Sequence, residues 1–230
     1  MKPFFLFLLC VGLLVPGLAQ RGNGEVTTVQ REVPAFDGIV VGGGFEIELT
    51  QGDGYAVSVE TDANLHDRIE VYVADGLLHV ETQGDLRSPT RMRLFIRSEQ
   101  FARISLSGAN ELSATTPLYG EALTLKLSGA VSVELAVDYD ELVADISGAG
   151  SLYLKGKATN TEFSVSGVGS ISAYDLLSTL SVVEVSGTGS AKVHAVEALS
   201  ASVSGMGSIR YQGDPAVRRN LSGMGAISRR

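Results

Sequence analysis

The sequence predicts an all-β chain folded as a single-stranded parallel β-helix, a solenoid in which each coil packs on the next. First, a Ser-Gly phrase preceded by Leu, Ile or Val occurs seven times, with serine-to-serine spacings of 21, 19, 19, 20, 18 and 18 residues. A period near 20 residues is typical of solenoids. Second, apolar and polar residues alternate on both sides of the phrase, as in half-buried strands. Third, no segment after residue 19 keeps the 3.6-residue apolar period of a long helix.

Residues 1–19 have the features of a secretory signal peptide. Lys2 provides the positive start, Phe4–Val15 is apolar, and Gly17-Leu18-Ala19 places small residues where cleavage requires them. The apolar run is shorter than the roughly 20 residues needed to cross a membrane, so we expect cleavage and export rather than a transmembrane anchor. Cys10, the only cysteine, offers an alternative as a lipoprotein attachment site. Cleavage would leave the mature chain without disulfides.

The region before the repeats divides into two parts. Residues 20–32 are polar and contain glycine, and we expect a flexible lead-in. Residues 33–103 are expected to form an N-terminal β segment of the helix, because short alternating runs such as Phe45–Leu49 follow one another. Within it, Asn64–Arg68 is compatible with one helical turn, and Asp75-Gly76 predicts a tight turn between two strands.

Residues 104–230 are expected to form the repeat β-helix. Glycine reaches positive φ without steric cost, so each Ser-Gly phrase predicts a corner between two short strands. Parallel stacking at about 4.8 Å would align the corners and the inward-facing aliphatic residue before each serine over about 29 Å. A right-handed coil is favoured, because parallel crossover connections are right-handed. The predicted corners are Ser107 and Gly108, Ser128 and Gly129, Ser147 and Gly148, Ser166 and Gly167, Ser186 and Gly187, Ser204 and Gly205, and Ser222 and Gly223.

The column of corner serines has a structural and a catalytic interpretation. The structural one is a ladder of hydroxyls that bond to neighbouring backbone or to one another. The catalytic one is a row of nucleophiles, which would each need a positioned base. We favour the structural interpretation. The glycines are not expected to form a phosphate-binding loop, because such a loop leads into a helix.

An arginine-rich segment is the strongest candidate for binding. Residues 87–103 contain five arginines and one acid. On a strand, Arg91, Arg93 and Arg97 share one face and would form a stripe for phosphates or acidic glycans. The alternative is a solvated face whose arginines pair with nearby carboxylates.

The ingredients of an enzyme or a metal site are sparse. Three histidines are far apart and share no ligand spacing: His66, His79 and His194. Asp138, Asp140 and Glu141 resemble a Ca²⁺ site only in composition, and we interpret them as an acidic loop. If the chain were a carbohydrate-active enzyme, Asp138, Asp140 and Asp145 would be its candidate acids. We expect no metal and no cofactor.

Several motifs together resemble a known family. They are Phe36-Asp37-Gly38-Ile39, the strand Gly43–Leu49, the Asn64-Leu65 segment and the recurrent Ser-Gly-x-Gly-Ser. In this order they resemble the putative autotransporter adhesin "head GIN" domain family over about Val33 to Tyr211. The resemblance implies an exported bacterial protein, a parallel β-helix similar in shape to pectin lyases, no set of catalytic residues, and an adhesive role.

These observations favour a non-enzymatic, exported interaction module of the cell envelope, in the periplasm, on the outer-membrane surface or outside the cell. The formal net charge of −8 argues against nucleic acid as a partner. The expected partner is an envelope or surface ligand, either a glycan or a protein. Two alternatives stay open: a β-helix polysaccharide lyase or hydrolase, and a structural envelope protein that assembles with copies of itself through exposed strand edges.

Overall fold

The computed structural model describes residues 20–230, and the predicted signal peptide at residues 1–19 lies outside this range. The described chain contains one 3₁₀-helix, Ala63–Arg68, and nineteen strands. The strands are β1 Gln20–Arg21, β2 Val26–Arg31, β3 Gly38–Gly43, β4 Glu46–Gln51, β5 Ala56–Asp62, β6 Ile69–Ala74, β7 Leu77–Thr82, β8 Leu86–Arg87, β9 Met92–Ser98, β10 Arg103–Gly108, β11 Glu111–Ala114, β12 Leu118–Gly129, β13 Ser132–Gly148, β14 Ser151–Gly167, β15 Ser170–Gly187, β16 Ser190–Gly205, β17 Ser208–Gln212, β18 Ala216–Gly223 and β19 Ala226–Arg229.

The repeats stack in parallel and in register. Strands β12 to β16 pair one after another along their lengths. Ser107 lies opposite Ser128, and the same serine-to-serine register continues through every later corner to Ser222. The predicted parallel β-helix is therefore confirmed. The stack also contains an eighth corner, because Gly42 and Gly43 occupy the corresponding positions opposite the first Ser-Gly phrase.

The aliphatic residue before each corner serine faces the core. Burial of such a side chain stabilises the fold by about 1.5–3 kcal/mol, and equivalent residues pack on one another from coil to coil. Leu221 is the exception at 51% exposure, because it lies on β18, which pairs with β16 along one edge. The other six are at most 2% exposed: Leu106, Leu127, Ile146, Val165, Val185 and Val203.

Glycine is required at the corners by both backbone conformation and close packing. Gly187 has φ of 106°, and a Cβ on it would lie 2.7 Å from the carbonyl oxygen of Gly167 in the preceding coil. That oxygen accepts a hydrogen bond from the N–H of Thr188 at 3.0 Å, and equivalent backbone bonds recur at the other corners. Backbone bonds therefore close the corners. The corner serines themselves are exposed.

The N-terminal part departs from the regular coil. Strands β3 and β4 join the parallel stack through β10 and β11, but β5 is antiparallel to both β2 and β9, and β6 is antiparallel to β7. The expectation of a flexible lead-in over residues 20–32 is wrong for β2, because its six residues all pair with β5. The helical turn and the Asp75-Gly76 hairpin turn are confirmed, and the turn residues have φ of 51° and 76°.

The stack has two long outer surfaces, which we call the front wall and the back wall. The front wall consists of β2, β5, β9, β4, β11, the first parts of β13 to β16, β17 and β19. The back wall consists of β6, β7, β3, β10, β12, the last parts of β13 to β16, and β18. Eleven strands in the front wall give a surface about 48 Å long at a spacing of about 4.8 Å.

Candidate interaction surface

The arginine stripe lies in the front wall. Strand β9 runs between β5 and β4. Arg91 directly precedes the strand, and Arg93 and Arg97 lie on its outer side, whereas Leu94 and Ile96 are buried on the inner side. The alternation of the sequence thus correctly predicts which residues share a face.

Carboxylates accompany two of the three arginines. A guanidinium nitrogen of Arg93 lies 2.9 Å from Glu46 Oε1, and Arg91 Nε lies 3.5 Å from Glu60 Oε1. The Arg93 guanidinium also lies over the ring of Phe95, 5.2 Å from its centroid. Pairs as exposed as these stabilise a fold by at most about 1 kcal/mol. Their main consequence is that this part of the wall has mixed charge.

A groove of about 600 Å³ opens beside Arg91; we call it the corner groove. Residues 89–92 form one side of it, and the first corners of the stack, with Asn110 among them, form the other. Glu46 and Glu111 also line it. The groove therefore presents a guanidinium, two carboxylates and corner backbone. This combination of donors and acceptors suits a polar ligand such as a glycan or a peptide segment.

Asp62 holds one side of the corner groove in place. This buried carboxylate accepts hydrogen bonds from the Thr90 N–H at 2.7 Å, the Thr90 hydroxyl at 2.9 Å and the Gly24 N–H at 2.6 Å. Burial by itself would raise the pKa of Asp62, but the bonds from Thr90 and Gly24 outweigh it and lower the pKa below its ordinary value. The ionised carboxylate thus ties residues 89–92 to β5 and to the N-terminal segment.

Asn110 supports the other side of the groove. It is 3% exposed; its Oδ1 accepts the Phe45 N–H at 3.0 Å, and its Nδ2 donates to the Ser107 carbonyl at 2.8 Å. Our sequence analysis missed both Asn110 and Asp62. Asn110 had a usable signal, because it stands where most later corners have their second glycine. Asp62 had none, since its partners are 28 and 38 residues away.

Arg97 occupies a different environment from the other two arginines. Its strand neighbours are Thr50 on β4 and Ala56 on β5. It lines a second front-wall groove of about 390 Å³ that also includes Glu48 and Gln30. The predicted stripe therefore spans two grooves, with Arg91 in one and Arg97 in the other.

The three candidate acids of an enzyme do not share a groove. Asp138 pairs with Lys157 at 3.1 Å, and Asp140 is exposed. Asp145 lines a groove of about 410 Å³ in the back wall together with Lys126, and neither of the other two aspartates lines that groove. The geometry gives them no common substrate position.

The histidines occupy separate environments. His66 is buried, and its Nε2 lies 2.9 Å from the Thr27 hydroxyl, whereas His79 stacks on Tyr72 with ring centroids 4.9 Å apart. Within residues 20–230, no group of three or more His, Cys, Asp or Glu side chains is placed to hold a metal ion. No helix in the same range is both long enough and apolar enough to cross a membrane.

These features define a β-solenoid with a long, mostly regular wall and two polar grooves at the irregular end of that wall. The chain belongs to the family described as "Putative auto-transporter adhesin, head GIN domain", whose model matches residues 35–215. The resemblance of the sequence motifs to this family is therefore confirmed.

Solved structures of Bacteroides and Parabacteroides proteins have the same fold. A protein of Bacteroides fragilis described as a putative adhesin is 24% identical, with a TM-score of 0.88 over 91% of this chain and 99% of its own. A putative adhesin of Parabacteroides distasonis is 26% identical, with a TM-score of 0.74 over 92% and 100%. Another P. distasonis protein, described as a putative lipid binding protein, is 22% identical, with a TM-score of 0.75 over 91% and 98%. The comparison with curated proteins gives no match.

Proposed function

We propose that the chain is a non-enzymatic, exported interaction module that binds an envelope or surface ligand, a glycan or a protein segment, in the corner groove of its front wall. The observation that carries this proposal is the groove itself. One guanidinium and two carboxylates converge there on a part of the wall fixed by Asp62 and Asn110. The family's description as an adhesin agrees with a binding role.

The groove is suited to binding because its two sides are fixed before a ligand arrives. Side chains on strands, held by buried hydrogen bonds, lose little conformational entropy on association. Residues 89–92 are tied down by two bonds from Thr90 to the buried Asp62 carboxylate, which also accepts a bond from the Gly24 N–H. The groove therefore resembles a preformed ligand site more than a flexible loop region.

A binding screen with two matched variants tests the proposal. The purified chain is applied to an array of neutral and acidic glycans, to lipopolysaccharide and to surface glycoproteins, and each positive ligand is titrated again with Arg91→Ser and Lys192→Ser. Both changes remove one cation from the front wall, but Lys192 lies between Ser172 and Arg210, several coils from the groove. Loss of a charge-assisted hydrogen bond predicts binding weaker by about tenfold or more for Arg91→Ser, and an unchanged affinity for Lys192→Ser.

Two results would contradict the groove as the binding site. One is an equal loss of affinity in both variants, which would indicate nonspecific attraction of an anionic ligand to the wall. The other is a ligand whose affinity depends on Arg97→Ser and not on Arg91→Ser. That result would instead favour the predicted polyanion stripe, centred on the second front-wall groove.

The enzyme alternative has its own test. The purified chain is incubated with pectin-like and other acidic polysaccharides, and new reducing ends and unsaturated products are measured. The proposal predicts no cleavage above the background of the triple variant Asp138→Asn/Asp140→Asn/Asp145→Asn. Cleavage by the wild type that the triple variant lacks would refute a purely binding role.

Export rests on the features of residues 1–19. Expression in a bacterial host with N-terminal sequencing of the extracellular or periplasmic protein tests it, and the expected mature protein begins at Gln20. An uncleaved chain in the cytoplasm would be inconsistent with export.

A further inference from the structure

The two ends of the solenoid carry opposite charge. Residues 208–230, which form the last coil, contain five arginines and one aspartate, a formal charge of +4. Residues 67–85, which include β6 and β7 at the other end of the back wall, contain five acids and one arginine, a formal charge of −4. All twelve side chains are exposed. The chain as a whole carries −8, so the basic last coil contrasts with the rest of the molecule.

The last coil also leaves strand edges and apolar surface without cover in the described chain. Strand β18 pairs with β16, and β19 pairs with β17, each along one edge. Leu221 is 51% exposed and Met224 is 83% exposed, although Leu221 continues a ladder that is otherwise buried. Val217 and Ile227 are only partly buried against the core. Free edges of this kind are templates for pairing with another strand.

The opposite end offers matching edges. Strand β6 pairs only with β7 among the described strands, and β2 pairs only with β5. A depression of about 450 Å³ runs beside β6, lined by Ile69, Glu70 and Val71 among others. Strands β6 and β18 are the two edges of the back wall, and β2 and β19 are the two edges of the front wall. The front wall has one strand more than the back wall, so one copy placed on another along the axis brings β19 to β2 and turns the basic last coil toward the acidic β6 edge.

Two glutamates of like charge lie side by side at the acidic end, where a cation from another molecule would stabilise them. Glu70 on β6 lies directly opposite Glu81 on β7, and like charges in that position destabilise a sheet. Arg218 is exposed on the outer side of β18, which is the corresponding face of the opposite edge. The basic last coil of a second copy docked on this end would relieve the repulsion.

We infer that copies of this chain associate head to tail, with the basic last coil of one copy docked on the acidic β6 edge of the next. Such an interface is heterologous, so each bound copy presents a fresh free end and the assembly grows as an open linear array. Ligand grooves in the front walls would then repeat along one fibre at the spacing of the solenoid. This inference does not depend on the corner groove being the ligand site.

Charge exchange tests the interface. Sedimentation velocity of the purified chain is expected to show a mass that increases with protein concentration. The measurements extend to about 1 mM, which is the range of weak association. Arg218→Glu and Glu70→Arg should each weaken association by about tenfold or more, because each change reduces the opposite charge of the two ends. Lys126→Glu, the same change in the middle of the back wall, should leave association unchanged.

Three outcomes would overturn the inference. The first is a chain that stays monomeric at every concentration. The second is an association that neither Arg218→Glu nor Glu70→Arg weakens, which would show that the two charged ends do not meet. The third is a monomer that binds vesicles of phosphatidylglycerol in a manner that depends on Arg218 and not on Glu70. That result would identify the last coil as a surface for anionic lipid.

Discussion

Three glycine-to-alanine variants separate the two reasons for glycine at the corners. Gly187 has positive φ and a close backbone neighbour: its Cβ would lie 2.7 Å from the Gly167 carbonyl oxygen. Gly24 has φ of +84° but nothing within 4 Å of its Cβ position. Gly52 has neither a positive φ nor a neighbour within 4 Å. The series therefore isolates conformational strain from steric overlap.

The three variants are expected to differ in their free energy of unfolding. Gly52→Ala should stabilise the protein by about 0.4–1 kcal/mol, because alanine reduces the entropy of the unfolded chain. Gly24→Ala should destabilise it by about 1–2 kcal/mol, the cost of a left-handed residue with a side chain. Gly187→Ala should destabilise it by about 2–5 kcal/mol, because overpacking against a backbone atom that cannot move alone adds about 1–3 kcal/mol to the strain.

Urea denaturation followed by circular dichroism measures the series. The slope of unfolding free energy against urea concentration must be equal in all variants for the comparison to be valid. If Gly187→Ala loses no more stability than Gly24→Ala, close contact between coils does not determine the corner sequence. The explanation of the repeated glycine would then reduce to φ alone.

Two further substitutions test buried hydrogen bonds. Asp62→Asn should lower stability by about 2 kcal/mol at pH 7, because an amide N–H would face the Thr90 N–H. Since folding lowers the pKa of Asp62, the advantage of the wild type is complete above about pH 4 and is lost as the pH falls through the folded pKa. Urea titrations of both proteins from pH 7 to pH 2 measure this difference. Tyr139→Phe should cost about 1 kcal/mol, because the Phe101 carbonyl loses the hydroxyl that donates to it at 2.8 Å. Burial raises the pKa of Tyr139, so the difference from the phenylalanine variant should shrink above about pH 10. Tyr119→Phe, at an exposed position, is the control and should show neither effect.

The structure of the repeat region was predictable because the same sequence pattern recurs in every coil. A glycine corner, a preceding aliphatic residue and alternating strands each recur, and register follows once the corners align. The first corner escaped notice because Gly42 replaces the serine. The side-chain period also predicted the outer face of β9, since alternation does not depend on which strand lies beside it.

The N-terminal region was less predictable because alternation does not specify strand direction. Strands β5 and β9 alternate as the repeat strands do, yet they pair antiparallel with each other. Likewise, nothing near Arg93 in the sequence indicates that Glu46 and Glu60 flank it. Those neighbours come from strands more than 30 residues away, and only the topology brings their carboxylates to the stripe.

The location of the candidate site follows from this contrast. Coils that repeat the same residues present the same surface several times, so a surface selective for one ligand is best placed where repetition stops. In this chain it stops where β9 enters between β5 and β4, and there Asn110 replaces the usual glycine while Asp62 fixes residues 89–92. Substitutions in the middle coils should therefore change stability with little effect on ligand affinity. Exposed substitutions at the corner groove should do the reverse.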